Sequence, residues 1–217
     1  MLYDFCLFDL DGTLTDPKVG ITKSYQHALS AFGIHEELEN LLQFIGPPLR
    51  SNFRDYYGLS EADTEKAVAK FREYFIEKGL LENMVYPGIP EILQELKGKG
   101  VTLAVATSKV TAFANKVLNH FSLDGYFGFV SGDDMDGSLT INGKGDIIRT
   151  ALDALDPGRS NKPVMIGDRH HDITGANDVG IDSIGITWGY GSRGELEDAG
   201  ATWIVESLDE LCKLILK

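Results

Sequence analysis

The sequence has few of the features that mark secreted and membrane proteins. Cysteine occurs twice among 217 residues, as Cys6 and Cys212, and both lie in apolar surroundings. We interpret them as reduced core cysteines, which predicts a cytoplasmic protein without a disulfide framework. No apolar run approaches the roughly 18 residues of a membrane-spanning helix, and Met1 leads into a strand-like run without a signal peptide. Membrane association is therefore not expected.

Positive charge is also scarce. Lysine and arginine together number 20 against 33 aspartates and glutamates, which leaves a net charge of −13. A field of this sign repels nucleic-acid backbones and anionic lipids, so neither is an expected partner. The same field repels small phosphorylated molecules, so a site for one must carry its own local positive charge. The sequence has no internal repeat or low-complexity segment. We expect the protein to be a monomer or a homodimer.

Apolar, strand-like segments alternate with helical patterns along most of the chain. This alternation predicts parallel strands joined by helical crossovers, and therefore an α/β protein with an open, mostly parallel sheet. Ligands bind to such sheets at the carboxyl ends of the strands. The segments predicted as strands are Tyr3–Leu10, Val101–Ala106, Phe127–Val130, Pro163–Ile166, Ile181–Ile186 and Trp203–Val205.

One block of the chain has helical patterns only. Asp16 and Pro17 suit the start of a helix, a second helix is predicted around Glu36–Phe44, and Ser60 with Asp63 forms a capping-box pattern. The block interrupts the alternation after the first strand, so it is an insertion. We expect residues 1–15 and 84–217 to form an α/β core and residues 16–83 an inserted helical domain.

Two carboxylates stand directly after the first predicted strand, in the segment Asp9–Thr13. Residues i and i+2 leaving a strand point to the same side, so the carboxylates of Asp9 and Asp11 share one side while Leu10 points away. Gly12 permits a sharp exit turn. Such a pair suits the binding of a hard cation, and it suits the division of nucleophilic and acid–base work between two groups.

Hydroxyl groups and a lysine follow at other predicted strand ends or helix starts. Thr107 and Ser108 close the strand Val101–Ala106, and hydroxyls with the free N–H groups of a helix start bind phosphate oxygens well. Lys144 lies in the predicted turn Asn142–Gly145 before a helix, where its compact charge could neutralise phosphate and carboxylate together.

Further carboxylates follow the strand Pro163–Ile166. Asp168 leaves the strand end and Asp172 comes four residues later, on the same side if a helical turn forms. A short helix is predicted directly after it, over Ile173–Val179. Oxygen ligands favour magnesium over zinc. His170 and His171 suggest a zinc site, but adjacent residues point apart and no other histidine or cysteine has ligand spacing. All of these clusters fall at or just beyond the carboxyl end of a predicted strand, and that coincidence predicts one shared site.

A calcium-loop pattern in the segment Asp133–Gly137 does not hold. If Gly137 is the turn glycine, the twelfth loop position is Gly143, where a glutamate is needed. We therefore predict a turn or hairpin at this segment.

In these motifs and their order, the sequence resembles the phosphatases of the haloacid dehalogenase superfamily. The resemblance covers essentially the whole chain, and within the superfamily it is closest to the phosphoglycolate phosphatase-like branch. It implies a Rossmann-like three-layer core with a small helical cap inserted after the first strand. It also implies a magnesium-dependent phosphatase that hydrolyses a small phosphate monoester through an aspartyl-phosphate.

The resemblance also implies roles for individual residues. Asp9 would be the nucleophile, and Asp11 would protonate the leaving group and then activate water. Thr107 and Lys144 would hold the phosphoryl oxygens, with Ser108 beside them. The Mg²⁺ ligands would be Asp9, the backbone carbonyl of Asp11, Asp168 and, directly or in support, Asp172.

Substrate selection is expected to involve the cap. Arg50, which follows the segment Gly46–Leu49, could pair with an anionic leaving group, and Lys109 follows the Thr107–Ser108 motif and could also reach the substrate. Phosphoglycolate, a nucleoside monophosphate and a sugar phosphate all remain compatible. Two alternatives stay open: a phosphosugar mutase of the same fold, and a receiver-like signalling module that accepts a phosphoryl group on an aspartate.

Overall fold

The structure is a computed structural model that describes residues 1–140 and 143–217. Asn142, the first residue of the turn predicted before the helix at Gly145, lies outside the described residues. Among the described residues, each helix is too short or too polar to cross a bilayer.

The order of strands and helices alternates as the sequence pattern predicts. The strands are β1 (Phe5–Phe8), β2 (Thr15–Asp16), β3 (Met84–Val85), β4 (Thr102–Val110), β5 (Phe129–Asp133), β6 (Pro163–Gly167), β7 (Asp182–Ile186) and β8 (Trp203–Val205). The α-helices are α1 (Lys18–Ser30), α2 (Leu49–Ser51), α3 (Glu61–Tyr74), α4 (Ile89–Gly98), α5 (Thr111–His120), α6 (Gly145–Leu155), α7 (His170–Val179), α8 (Arg193–Asp198) and α9 (Leu208–Leu216). Short 3₁₀ segments lie at Leu38–Phe44, Asp124–Tyr126 and Ser138–Thr140, and π-helical turns lie at Asn52–Tyr56 and Phe75–Gly79.

Within residues 1–140 and 143–217, six strands form the main sheet, in the order β5-β4-β1-β6-β7-β8, and neighbouring strands pair in parallel. The predicted α/β fold with a mostly parallel sheet is confirmed. Phe8 at the end of β1 pairs with Val105 of β4 and with Ile166 of β6. The next residue, Asp9, donates its N–H to the carbonyl of Ile166 at 2.9 Å. This register holds Asp9 just beyond the end of β1, between β4 and the carboxyl end of β6.

Strand β1 is buried on both faces. Phe5 and Leu7 pack in a cluster with residues of α6 and α7, among them Ile147. Cys6 and Phe8 alternate with them and are 0% and 1% exposed. Burying one large apolar side chain contributes about 1.5–3 kcal/mol, so a strand covered on both sides is a firm support for the loop that follows it.

Strand β4 differs from the sequence expectation. It was predicted to end at Ala106 but continues to Val110, with its register against β5 shifted between those two residues. Thr107 and Ser108 therefore lie in an irregular strand end and do not close the strand. Strand β5 also begins two residues later than predicted, at Phe129, because the chain first makes a 3₁₀ turn.

Two helices also differ from the pattern. The segment predicted as a second helix is a 3₁₀ helix over Leu38–Phe44, entered through an extended Glu37. Helix α7 begins at His170, earlier than the predicted Ile173, because the Asp172 carboxylate accepts the N–H of Arg169 at 3.0 Å and caps the first turn. Asp172 therefore sits on the helix itself.

The chain divides into two compact units, Met1–Thr15 with Val85–Lys217, and Asp16–Met84. The sequence pattern placed this boundary one residue earlier, after residue 83. In the second unit, the ring of Tyr25 lies 5.0–5.3 Å from those of Phe44, Phe53 and Phe71, and its hydroxyl accepts a hydrogen bond from Asn52 at 2.6 Å. This aromatic cluster is the core of the helical unit.

Helix α3 in this unit begins as the sequence predicts. The Ser60 side chain accepts the N–H of Asp63, which is the first half of the predicted capping pattern.

Candidate active site

The loop after β1 makes a tight turn that brings two carboxylates into the core unit. Gly12 has a φ of +91°, a conformation that side chains with a Cβ rarely adopt, and its N–H donates to the carbonyl of Thr15 at 2.7 Å. A Cβ at Gly12 would also overlap the carboxylate of Asp168. The turn therefore needs glycine for its shape and for the close approach of Asp168. Asp9 and Asp11, on either side of Leu10, are 5% and 8% exposed.

Lys144 lies between two aspartates. Its Nζ is 2.7 Å from Oδ1 of Asp9 and 2.5 Å from Oδ1 of Asp172, and the residue is 3% exposed. Lys144 stands immediately before α6, so the helix start carries it to this point. Burial alone would lower the pKa of Lys144, but Asp172 and Asp9 outweigh burial and raise it. The lysine is therefore a permanent positive charge.

The loop after β7 holds Asp168. The N–H of Tyr190 donates to Oδ2 of Asp168 at 2.7 Å, and the hydroxyl of Thr13 donates to Oδ1 at 3.4 Å. Gly189 packs so closely that a Cβ there would overlap the Asp168 carboxylate. Burial and the nearby charges of Asp172 and Asp9 raise the pKa of Asp168 well above its usual range. The ionised form of this carboxylate is therefore disfavoured, and further positive charge beside it would lower the free energy of ionising it.

The three aspartates fit a hard divalent cation. Asp9, Asp168 and Asp172 each offer a carboxylate oxygen, and these oxygens lie within 4.8 Å of one another. All three residues are buried, and burial raises the pKa of Asp172 despite the adjacent Lys144. A set of carboxylate oxygens suits Mg²⁺, which takes oxygen ligands. His170 is directed elsewhere, since its Nδ1 lies 2.7 Å from Glu195.

Asp11 is paired with a second lysine. Oδ2 of Asp11 accepts a hydrogen bond from Nζ of Lys109 at 2.5 Å, and the two side chains are 11% and 6% exposed. Oδ1 of Asp11 is buried and has no hydrogen-bond partner among the described residues. Burial raises the pKa of Asp11, although Lys109 acts in the opposite direction. Lys109, which the sequence suggested as a substrate ligand, thus contacts the predicted acid–base residue.

The remaining predicted site residues have different surroundings. Thr107 lies on β4, two residues before Lys109, and is 1% exposed. Its hydroxyl accepts the N–H of Lys109 at 3.3 Å. Ser108 is half-buried beside it. Arg50 belongs to the helical unit, where its guanidinium donates two hydrogen bonds to Glu65, at 2.6 and 3.0 Å. The assignments of Ser108 and Arg50 as substrate ligands remain predictions.

Sequence reasoning missed Glu195 and the role of Tyr190. Glu195 accepts hydrogen bonds from Nε of Arg169 and from the backbone N–H of His170, both at 2.9 Å. Burial alone would raise the pKa of Glu195, but these hydrogen bonds outweigh it and lower the pKa to about 2. Glu195 thereby ties α8 to the segment between Asp168 and α7. No local pattern marks it, whereas the glycines on either side of Tyr190 were a visible sign of close packing.

The family assignment follows from comparison with known proteins. The model of the haloacid dehalogenase-like hydrolase family matches residues 6–186, which contain the whole aspartate and lysine cluster. The chain belongs to the haloacid dehalogenase-like hydrolase family. The predicted resemblance is confirmed, and with it the assignment of this hydrolase as a phosphatase.

Several proteins of named activity and one solved structure are similar to this hydrolase over most of its length. A 5'-nucleotidase from Pseudomonas aeruginosa is 47% identical over 195 residues, covering 89% of this chain and 87% of the relative. The tyrosine-protein kinase PtkA from Mycobacterium tuberculosis is 38% identical over 209 residues, covering 94% of this chain and 70% of the relative. The crystal structure of a predicted phosphatase from Clostridium acetobutylicum matches with a TM-score of 0.93 and 46% identity over 100% of this chain and 99% of that one. Phosphoglycolate phosphatases are also among the relatives, at lower identity.

Proposed function

We propose that this hydrolase is a magnesium-dependent phosphatase that cleaves a small phosphate monoester through an aspartyl-phosphate on Asp9. The observation that carries the proposal is the position of Lys144 between Asp9 and Asp172, at 2.7 and 2.5 Å. A carboxylate nucleophile repels a phosphate dianion, and a fixed positive charge beside it offsets that repulsion. The net charge of −13 makes this local cation more necessary.

In the proposed reaction, a carboxylate oxygen of Asp9 attacks phosphorus, and the bond from phosphorus to the ester oxygen breaks. Asp11 gives a proton to the departing alkoxide. In the second step, Asp11 takes a proton from the water that attacks the phosphorus of the aspartyl-phosphate. The bond between phosphorus and the Asp9 oxygen then breaks, which releases inorganic phosphate and restores the carboxylate. The burial of Asp11 supports this role, because burial raises its pKa and so favours the protonated acid.

The residues that would hold Mg²⁺ are Asp9, Asp168 and the backbone carbonyl of Asp11, with Asp172 as ligand or support. When bound, Mg²⁺ supplies positive charge to the phosphoryl oxygens. Lys144 and the hydroxyl of Thr107 would hold those oxygens as well.

For the substrate, we propose a small phosphorylated metabolite, and nucleoside 5'-monophosphates are the class to test first. The support is the named 5'-nucleotidase relative, whose identity to this chain exceeds that of the phosphoglycolate phosphatases. We further propose that the helical unit acts as a cap and that Arg50 contributes to the choice of leaving group.

The test is phosphate release from nucleoside 5'-monophosphates, phosphoglycolate, sugar phosphates and p-nitrophenyl phosphate, in MgCl₂ and in EDTA. Wild type should release phosphate in MgCl₂ only, and Asp9→Asn should be inactive while remaining folded. Acid quenching during turnover should trap a phosphoryl group on the wild-type protein and none on Asp9→Asn. Activity in EDTA, or retained activity in Asp9→Asn, would contradict the proposal.

The mutase alternative has its own signature in the same assay. A mutase keeps the aspartyl-phosphate from water and is activated by a sugar bisphosphate. Isomerisation of a sugar phosphate that depends on a bisphosphate, with no phosphate release, would replace the phosphatase proposal.

A further inference from the structure

Lys109 occupies a constrained position at the irregular end of β4. The register of this strand against β5 shifts between Ala106 and Val110. Within this stretch, the N–H of Lys109 donates a hydrogen bond to the hydroxyl of Thr107 at 3.3 Å. On the neighbouring strand, a Cβ at Gly132 would overlap the carbonyl of Lys109. The backbone of Lys109 is therefore held from two sides. Its side chain is 6% exposed, and its Nζ lies 2.5 Å from Oδ2 of Asp11.

The two oxygens of the Asp11 carboxylate have different environments. Oδ2 accepts the hydrogen bond from Lys109, whereas Oδ1 is buried and has no hydrogen-bond partner among the described residues. A buried acceptor without a partner costs free energy, so such an atom in a folded protein needs an explanation, and a catalytic role is one. Because Lys109 holds one oxygen, the orientation of the other is set as well.

The site thus contains two lysines that serve different aspartates. Lys144 contacts Asp9 and Asp172, at the predicted nucleophile and metal cluster, while Lys109 contacts Asp11. A phosphate-binding lysine needs to face the nucleophile, as Lys144 does. The geometry gives Lys109 a different partner and therefore a different task.

We propose that Lys109 is a positioning residue, which anchors Oδ2 of Asp11 so that Oδ1 is the oxygen that exchanges protons with the leaving group and the attacking water. The inference rests on the proposed phosphatase function and adds to it. It replaces direct substrate binding, which the sequence suggested for Lys109, with an action through Asp11.

The test compares Lys109→Met, which keeps the length and removes the charge, with Lys109→Arg, which keeps the charge. Lys116→Met, at an exposed position on α5, is the matched control. Lys109→Met should lower kcat about 10- to 100-fold for an alkyl phosphate, since a misplaced catalytic group costs rates of this order. The inhibition constant of inorganic phosphate should stay within about twofold, because phosphate would not contact Lys109.

A pre-steady-state burst distinguishes positioning from a structural role. p-Nitrophenolate leaves without needing a proton, whereas release of phosphate from Asp9 needs Asp11 as base. Lys109→Met should therefore release about one equivalent of p-nitrophenolate rapidly and then turn over slowly. Lys109→Arg should recover part of the lost kcat, and Lys116→Met should match wild type. Should Lys109→Met fail to fold by thermal melting, Lys109→Gln replaces it in the same assays.

Other results would overturn the assignment. A rise of about tenfold in KM and in the phosphate inhibition constant, with kcat preserved, would make Lys109 a substrate ligand. Unchanged constants in every Lys109 variant would leave it with no role in turnover. Both results presuppose an active wild-type enzyme, so they count against the positioning role alone. An inactive wild type, by contrast, would overturn the proposed function and this assignment together.

Discussion

The side-chain nitrogen of Lys144 lies 2.7 Å from Oδ1 of Asp9, although the two residues come from opposite halves of the chain. The same nitrogen contacts Asp172, so one buried cation serves two buried carboxylates. This contact brings the start of α6 to the loop after β1, and we expect the lysine to contribute both to the stability of the site and to the proposed chemistry.

Lys144→Met should therefore impair both properties. Removing one partner of a buried ion pair costs about 3–5 kcal/mol, because the remaining charges are left uncompensated. We expect the free energy of unfolding in urea to fall by about this amount and phosphate release to fall at least about 100-fold. Lys162→Met, at an exposed lysine of the same unit, is the control. A Lys144→Met protein with wild-type stability would show that the ion pair contributes little.

Magnesium should stabilise the folded protein. Asp9, Asp168 and Asp172 place three buried carboxylates within reach of one ion, and a cation that binds only the folded state raises its stability. We expect the melting temperature to be higher in MgCl₂ than in EDTA at equal ionic strength, by an amount equivalent to about 2.7 kcal/mol at a hundredfold excess over Kd. Asp168→Asn should reduce the shift strongly. An equal shift in wild type and variant would remove Asp168 from the ligand set.

Gly189→Ala should disturb Asp168 without a change of charge. The added Cβ would overlap the Asp168 carboxylate and the carbonyl of Gly12, so the carboxylate must move. Displacement of a catalytic group by about 1 Å can cost about 100-fold in rate, and we expect a loss of this order in kcat. Gly194→Ala is the matched control, because the nearest atom to its Cβ would be Oγ of Ser192 at 3.9 Å. Equal activities in the two variants would contradict the packing argument.

Arg50→Ala tests the proposed selection of substrates. If Arg50 pairs with an anionic leaving group, its loss should change the ranking of anionic substrates and spare p-nitrophenyl phosphate. Glu65→Ala removes the partner of Arg50 in the helical unit and controls for the ion pair. The pair is partly exposed and should contribute at most about 1 kcal/mol to stability. Identical substrate rankings in wild type and Arg50→Ala would exclude Arg50 from specificity.

Glu195 should make stability depend on acid pH. Its pKa falls from 4.5 to about 2 on folding, so it contributes stability that is fully present above pH 4.5 and is lost as the pH falls toward 2. Glu195→Gln should melt at a lower temperature than wild type at pH 6, and the difference should shrink as the pH is lowered to 3. Thermal melts across this range measure it. A difference that is constant with pH would show that ionisation of Glu195 is not involved.

Much of the fold was predictable because it depends on short-range patterns. The apolar runs of β1 and β6 and the helix at Gly145–Leu155 are visible in the sequence, and parallel connection follows from their alternation. The end of β4 was not predictable, since the register shift before Val110 depends on pairing with β5. Helix α7 began earlier than its apolar period indicated, because a carboxylate capped it.

The sequence by itself determined the family, the order of the elements and the set of acidic, basic and hydroxyl residues at the strand ends, because motif spacing and hydrophobic period are properties of the chain. The tertiary structure decided which charges meet. Lys109 forms an ion pair with Asp11 and Lys144 with Asp9, while Arg50 pairs with Glu65 within the helical unit. Such pairings depend on strand register and on close packing between distant segments, and a lysine in a loop has the same local sequence signal whichever carboxylate it reaches.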